Sequence, residues 1–379
     1  MRAKERAADW IWIIDHSIQL GAEKVLCVLG VRLSALESRS CHLTAQDVEP
    51  IAIIPVTKST GEVVAQQLEA EIEKTGVPRL IVGDCGPDIK KGVSLLREKH
   101  PKISFIHDIK HKTALLLKKL LEGDPLWATF CQKAATSKLR LMQTALAFLA
   151  PCAQRAKCRY MNLEILLRWA AWALHFLDMH QEQGRADFNK NRLIQKLGWL
   201  HDFRKQLELW KEWLEIATTV EKEVKQNGYT QHTPAIIRDA LTPIVKSKTG
   251  KKLSADLLDF VSLQSKQVRG EERLLGSSEI IESAFGKLKH LEKTQEQSGF
   301  TILLLALAAL LGPTTENVIA SALSTVPTKK VKEWKDQHLP VSLQAKRREA
   351  IFLLKKKLQN EQDQQISAEQ IWDQLRQAA

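Results

Sequence analysis

Apolar residues in the first 110 positions come in short continuous runs rather than in helical stripes. Trp10 to Asp15 (WIWIID), Lys24 to Val31 (KVLCVLGV) and Pro50 to Val56 (PIAIIPV) predict three strands, and their unbroken apolar character predicts burial on both faces. Gly21 between the first two leaves room for a hairpin. The pattern then changes period. Glu62, Val63, Val64, Gln67, Leu68, Glu71 and Ile72 follow a 3.6-residue repeat, which Gly76 and Pro78 stop. A strand over Leu80 to Val82, a helix from about Asp88 to Lys99, a strand over Ile103 to Ile106 and a helix over Thr113 to Leu121 complete the series.

From Asp124 to about Arg269 no strand pattern survives. The stretch is helical in period and rich in tryptophan (Trp127, Trp169, Trp172, Trp199, Trp210, Trp213), and periodicity assigns most of these to a core. Gly228, Pro234, Pro243 and Gly250 divide it. A strongly apolar pattern returns over residues 277–311 and ends at Gly312-Pro313; a polar, lysine-rich tail follows from about Thr328. The expected organisation is α/β. A mixed sheet over 1–123 is interrupted by a helical insertion over 124–270, is completed by 271–312, and carries a basic helical tail over 313–379.

Fifty-six Lys and Arg against 44 Asp and Glu give a net charge of +12, which favours a polyanionic partner, most simply nucleic acid. Cys27, Cys41, Cys85, Cys131, Cys152 and Cys158 contain no Cys-x-x-Cys pair, so zinc is disfavoured and reduced thiols are expected. The longest apolar run, Ile302 to Leu311, is too short for a bilayer, which needs about 20 residues. A soluble cytoplasmic protein is the expectation.

The candidate chemistry lies in acidic residues. Two of the apolar runs end in aspartates, Asp15 and Asp84, and a helix over 277–289 presents Glu282, with Phe285 and Lys289 at offsets of three and seven. Carboxylates suit magnesium, a hard ion, and two such ions serve in-line attack on a phosphodiester. Asp88 and Glu279 are the rivals of Asp84 and Glu282. Asp88 is expected to cap the following helix, and Ser277 or Ser278 to cap the glutamate helix.

These motifs resemble the RNase H-like DDE transposases. Asp15 stands in WIIDHSIQLG before a hairpin, and Asp84 in LIVGDCGPDI. Asp108-Ile109-Lys110-His111 is similar to the Asp/Cys-x-x-His signature of Mutator-like, hAT-like and several insertion-sequence transposases. Glu282-x-x-Phe285-x-x-x-Lys289 is similar to the Glu-x-x-Trp-x-x-x-Lys helix of mariner-like transposases, with Phe285 in place of Trp. The resemblance spans about residues 10–311. It implies an RNase H-like fold, and Asp15, Asp84 and Glu282 holding two Mg2+ ions, with Mn2+ able to substitute. It implies metal-dependent strand cleavage and strand transfer on transposon ends and target DNA by a homodimer or higher oligomer. Asp108 would be accessory. Such enzymes carry a DNA-binding domain ahead of the first catalytic strand; only nine residues precede Trp10 here, so end recognition is expected elsewhere or the chain is truncated.

Between Lys90 and Lys119 nine Lys and Arg face only Glu98 and Asp108. Lys90, Lys91, Lys110, His111 and Lys112, with Lys289, are the expected DNA contacts. Another RNase H-like nuclease, such as a resolvase, and a non-catalytic DNA-binding remnant are the alternatives.

Overall fold

The computed structural model describes residues 4–20, 23–37, 41–56, 58–84, 86–153, 160, 163–182, 190–294, 307–311, 315–338, 346–357 and 359–360. The β-branched and aromatic runs form five strands: β1 (Trp10–Leu20), β2 (Glu23–Arg32), β3 (Glu49–Val56), β4 (Leu80–Gly83) and β5 (Ser104–His107). Their order across the sheet is β3-β2-β1-β4-β5. β1, β2 and β3 are antiparallel neighbours, and β4 and β5 run parallel to β1. That mixed order is the RNase H-like arrangement. Gly21 lies outside the described residues; Leu20 and Glu23 on either side of it are paired.

The two-residue alternation of the strands splits the core. Trp10, Trp12, Ile14, Leu26, Val28, Ile81 and Phe105 pack on one face, against Val64, Leu68, Val93 and Leu96. These last residues belong to α2 (Gly61–Thr75) and α3 (Pro87–Lys99). Ile11, Ile13, Val25, Cys27, Leu80, Val82 and Ile106 pack on the other face. There they meet α4 (Ile109–Glu122), α11 (Glu279–Thr294) and a helical block. A short helix that the pattern does not predict, α1 (Leu33–Glu37), follows β2.

The block consists of α5 (Pro125–Met142), α6 (Leu163–Glu182), α7 (Lys190–Leu197), α8 (Arg204–Asn227), α9 (Thr233–Leu241) and α10 (Lys248–Ser265). Among its described residues the only extended pairing is an isolated bridge, Tyr229 to Leu274, outside the sheet. Trp127, Trp210 and Trp213 are buried in it, with Trp127 and Trp210 edge to face at 5.0 Å. Trp172 departs from the core expectation: it is 44% exposed, beside Phe148 and Phe176. The block is tied to the sheet through amide side chains. The Gln267 side chain bonds both the N–H and the C=O of Phe105, and Gln264 accepts from His107 N–H. The open edge of β5 is thereby covered rather than left to pair with another chain. Arg79, at the start of β4, forms an ion pair with Glu272 and donates to Ser104 Oγ at 2.7 Å.

The apolar run from Ile302 lies mostly outside the described residues; its described end, Leu307–Leu310, is a 3-10 turn rather than a long helix. Helices α12 (Glu316–Thr325), α13 (Thr328–His338) and α14 (346–357) make up the described tail, and most of their residues are exposed. Among the described residues no helix is long and apolar enough to cross a membrane.

Candidate active site

Strand parity decides which side chains reach α11. Asp15 has the same parity as Ile11 and Ile13, so it points to the face that α11 covers. Asp84 has the parity of Leu80 and Val82. The parallel pairing of β1 with β4 ends at Ile14 and Gly83, which sets the two aspartates side by side, one residue beyond. One expectation needs correction. Asp15 does not end its strand: β1 continues to Leu20, because antiparallel pairing with β2 persists past an irregularity between Asp15 and Ile18. What ends at Asp15 is the pairing with β4.

Glu282 arrives from the first turn of α11, whose Ile281, Ala284, Phe285 and Leu288 are buried against the sheet core. The proposed single face of this helix therefore divides. Phe285 turns into the core, while Glu282 stays at its border and Lys289 is exposed two turns on.

The three acids bear on one another electrostatically. Burial pushes the Asp15 carboxyl up to about 7, and the negative charges of Asp84 and then Glu282 add to the rise, partly offset by the His16 N–H and by His111. Glu282 is held by two cations, Lys110 Nζ at 3.6 Å and His111 Nε2 at 3.8 Å. Lys110 also meets Glu279 at 3.2 Å, and Lys225 of α8 meets Glu279 at 2.9 Å. Burial alone would lower Lys110, but Glu279 and Glu282 raise it above the usual lysine range. As the side chains stand, no three His, Cys, Asp or Glu groups among the described residues close on one point tightly enough to hold an ion. The pull of Lys110 and His111 on Glu282 is a physical reason for that spacing.

Asp108 is the N-cap of α4 and is 2% exposed. Its Oδ1 accepts from His111 N–H at 2.9 Å and stands 3.3 Å from His111 Nδ1. Its Oδ2 accepts from Ser278 Oγ at 2.8 Å and from Ser278 N–H. Burial would raise the Asp108 carboxyl, yet the contacts from His111 and Ser278 hold it at about 2. In turn Asp108, against the effect of burial, keeps the His111 imidazole protonated up to about 9, with Glu282 and Asp84 contributing. Sequence reasoning saw Asp108 and His111 but missed Ser278 as their partner. Of the two serines expected to cap the glutamate helix, Ser277 takes the Glu279 N–H on its Oγ at 3.2 Å, which leaves the Ser278 hydroxyl to Asp108.

Asp88 is not the cap of α3, which begins after Gly86 with no side-chain cap. It lies in the first turn and accepts from Ser59 Oγ at 2.7 Å, with His16 Nδ1 at 3.4 Å and Lys24 Nζ at 3.6 Å. Of the expected DNA contacts, Lys110 and His111 are committed to the acidic site, and Lys91 pairs with Glu62 on α2, across the sheet from α11. Lys90 and Lys112 both bear on His107 at the end of β5, and Asp84 bears on it too. Lys112 also lies 5.2 Å from the centre of the Phe260 ring.

No protein-family model matches the chain, and no curated protein sequence matches it. Among solved structures, the Drosophila P element transposase strand transfer complex is similar at 14% identity with a TM-score of 0.40; the match covers 82% of this chain and 78% of that one.

Proposed function

We propose that the chain is a DDE-type DNA transposase, cutting DNA with the help of divalent cations and joining a 3′-hydroxyl to target DNA. One observation carries the reading. Three acidic side chains, from the middle of β1, the end of β4 and the first turn of α11, lie toward one face of an RNase H-like sheet, and burial, then the charges of Asp84 and Glu282, raise Asp15 to about 7. All the donors of these carboxylates are hard oxygens, so Mg2+ or Mn2+ fits them. Bound there, a pair of such ions would activate the attacking oxygen and neutralise the leaving one.

The chain's own residues supply the rest. Asp15 and Asp84 are fixed by adjacent strands and need little rearrangement to share a ligand. Glu282 joins them by leaving Lys110 and His111. Lys110, still paired with Glu279, keeps its positive charge at the border of the site, and His111 stays protonated against Asp108 and keeps a positive charge beside it. Lys112 and Lys90, at the rim near His107, are suited to backbone phosphates. Hydrolysis and strand transfer use the same residues, because only the attacking oxygen changes.

The test is cleavage of duplex DNA taken from the sequence flanking the coding region, with Mg2+. Asp84→Asn removes one anionic ligand at constant size and is expected to abolish cutting while duplex binding persists. Cutting that survives the substitution would end the assignment of Asp84.

A further inference from the structure

Asp108 does more than cap its own helix. Its N–H donates to Gly83 C=O at 3.0 Å, continuing the β4–β5 ladder up to the residue before Asp84. The next residue, Ile109, donates its N–H to Gly276 C=O at 3.0 Å. The carboxylate of Asp108 then closes on Ser278, the residue before α11, through both the hydroxyl and the N–H. The positive ends of two helices, α4 and α11, therefore meet on one buried anion. Close approach of the 276–278 segment depends on Gly276. A Cβ there would lie 2.3 Å from Val224 Cγ1 and 2.6 Å from Tyr229 Cε2.

We propose that Asp108 is a positioning residue that sets the place of Glu282 relative to Asp84. It touches neither ion nor DNA: both oxygens are already used, and its side chain is 1% exposed. It fixes the first turn of α11 through Ser278, four residues before Glu282, and it fixes His111, which contacts Glu282 directly. A cap serving only α4 would have no reason to bind Ser278. The proposal rests on the carboxylate-site reading above and adds a residue through which two of its three acids are held in common.

Asp108→Asn tests it, since the amide keeps the shape but must turn its NH2 toward one of the donors it now accepts from. Mn2+ binding to the full chain is read by electron paramagnetic resonance of the free ion. Hydrogen exchange of the metal-free protein is read over residues 278–282. Removing an outer partner of a metal ligand commonly weakens affinity by about 10-fold or more. The expectation is a loss of about 10-fold for Asp108→Asn and about 3-fold for Ser278→Ala. Binding of a labelled 30-base-pair duplex should be unchanged, and exchange over 278–282 faster while β4 stays protected. Mn2+ affinity within twofold of wild type in Asp108→Asn overturns the proposal. If that variant does not fold, Ser278→Ala decides by the same measure. If the wild-type chain binds no Mn2+, the carboxylate-site reading fails instead. The positioning claim is then decided by exchange: unaltered protection over 278–282 in the variants would overturn it.

Discussion

Asp15→Asn should stabilise the metal-free protein at neutral pH, although it removes a residue proposed for catalysis. In the folded chain Asp15 has its pKa raised from 3.8 to about 7, by burial first and by Asp84 and Glu282 after it. In the unfolded chain it titrates near its ordinary value. Between those two limits the folded state keeps a proton that the unfolded state has lost, so stability falls as pH rises. Each pH unit in that window costs about 1.4 kcal/mol. Water at the border of the site screens part of this, so the effect from pH 5 to pH 8 should be about 2 kcal/mol. The asparagine cannot ionise and lacks the slope. Urea unfolding in EDTA at pH 5, 6, 7 and 8 measures both proteins, and their difference removes contributions from other groups, such as Glu221, which burial also raises. The variant should gain on wild type up to about pH 7 and level off above it. At pH 8, added Mg2+ should stabilise wild type and leave the variant nearly unchanged. Parallel curves, or a variant that loses ground as pH rises, would show that Asp15 is not held protonated by the fold.

Two other outcomes bear on the frame and the interface. Arg79→Met leaves Glu272 without its cation at the joint between β4 and the segment after α10, and should cost about 3–5 kcal/mol in urea unfolding. Duplex DNA affinity, followed by fluorescence anisotropy, should fall steeply with added salt, and Lys112→Ala should lower the slope of log K against log salt by about one. Affinity indifferent to salt would remove the phosphate contacts from the account.

The sheet was legible because its strands are continuous apolar runs separated by helices of clear 3.6-residue period. Strand extents from the pattern agree with the structure to within about two residues for β2 to β5. Asp15, Asp84 and Glu282 are candidates from residue type and placement, and strand parity explains why the two aspartates share a face. What could not be read were side-chain partnerships between distant segments. Ser278 meets Asp108 across 170 positions, and Lys110 meets Glu279 across 169. Nothing local marks such pairs. The ion pairs of Lys110 and His111 with Glu282 were hidden in the basic run, because that acid arrives from α11. Asp88 is no cap because α3 already begins at Pro87; its Oδ1 accepts the Ile89 N–H at 3.1 Å, while Ser59, His16 and Lys24 meet Oδ2. The continuation of β1 past Asp15 was hidden because Ser17, Ile18 and Gln19 no longer form an apolar run.

Sharing of divalent cations by Asp15, Asp84 and Glu282 can be seen by anomalous diffraction from crystals soaked in Mn2+, without presupposing a DNA substrate. The expected result is manganese between Asp15 and Asp84, a second ion about 3.5–4 Å away when a phosphate-bearing oligonucleotide is present, and Glu282 swung off Lys110 to complete the site. Crystals that bind Mn2+ elsewhere, with Glu282 still against Lys110 and no ion at Asp15 and Asp84, would contradict it.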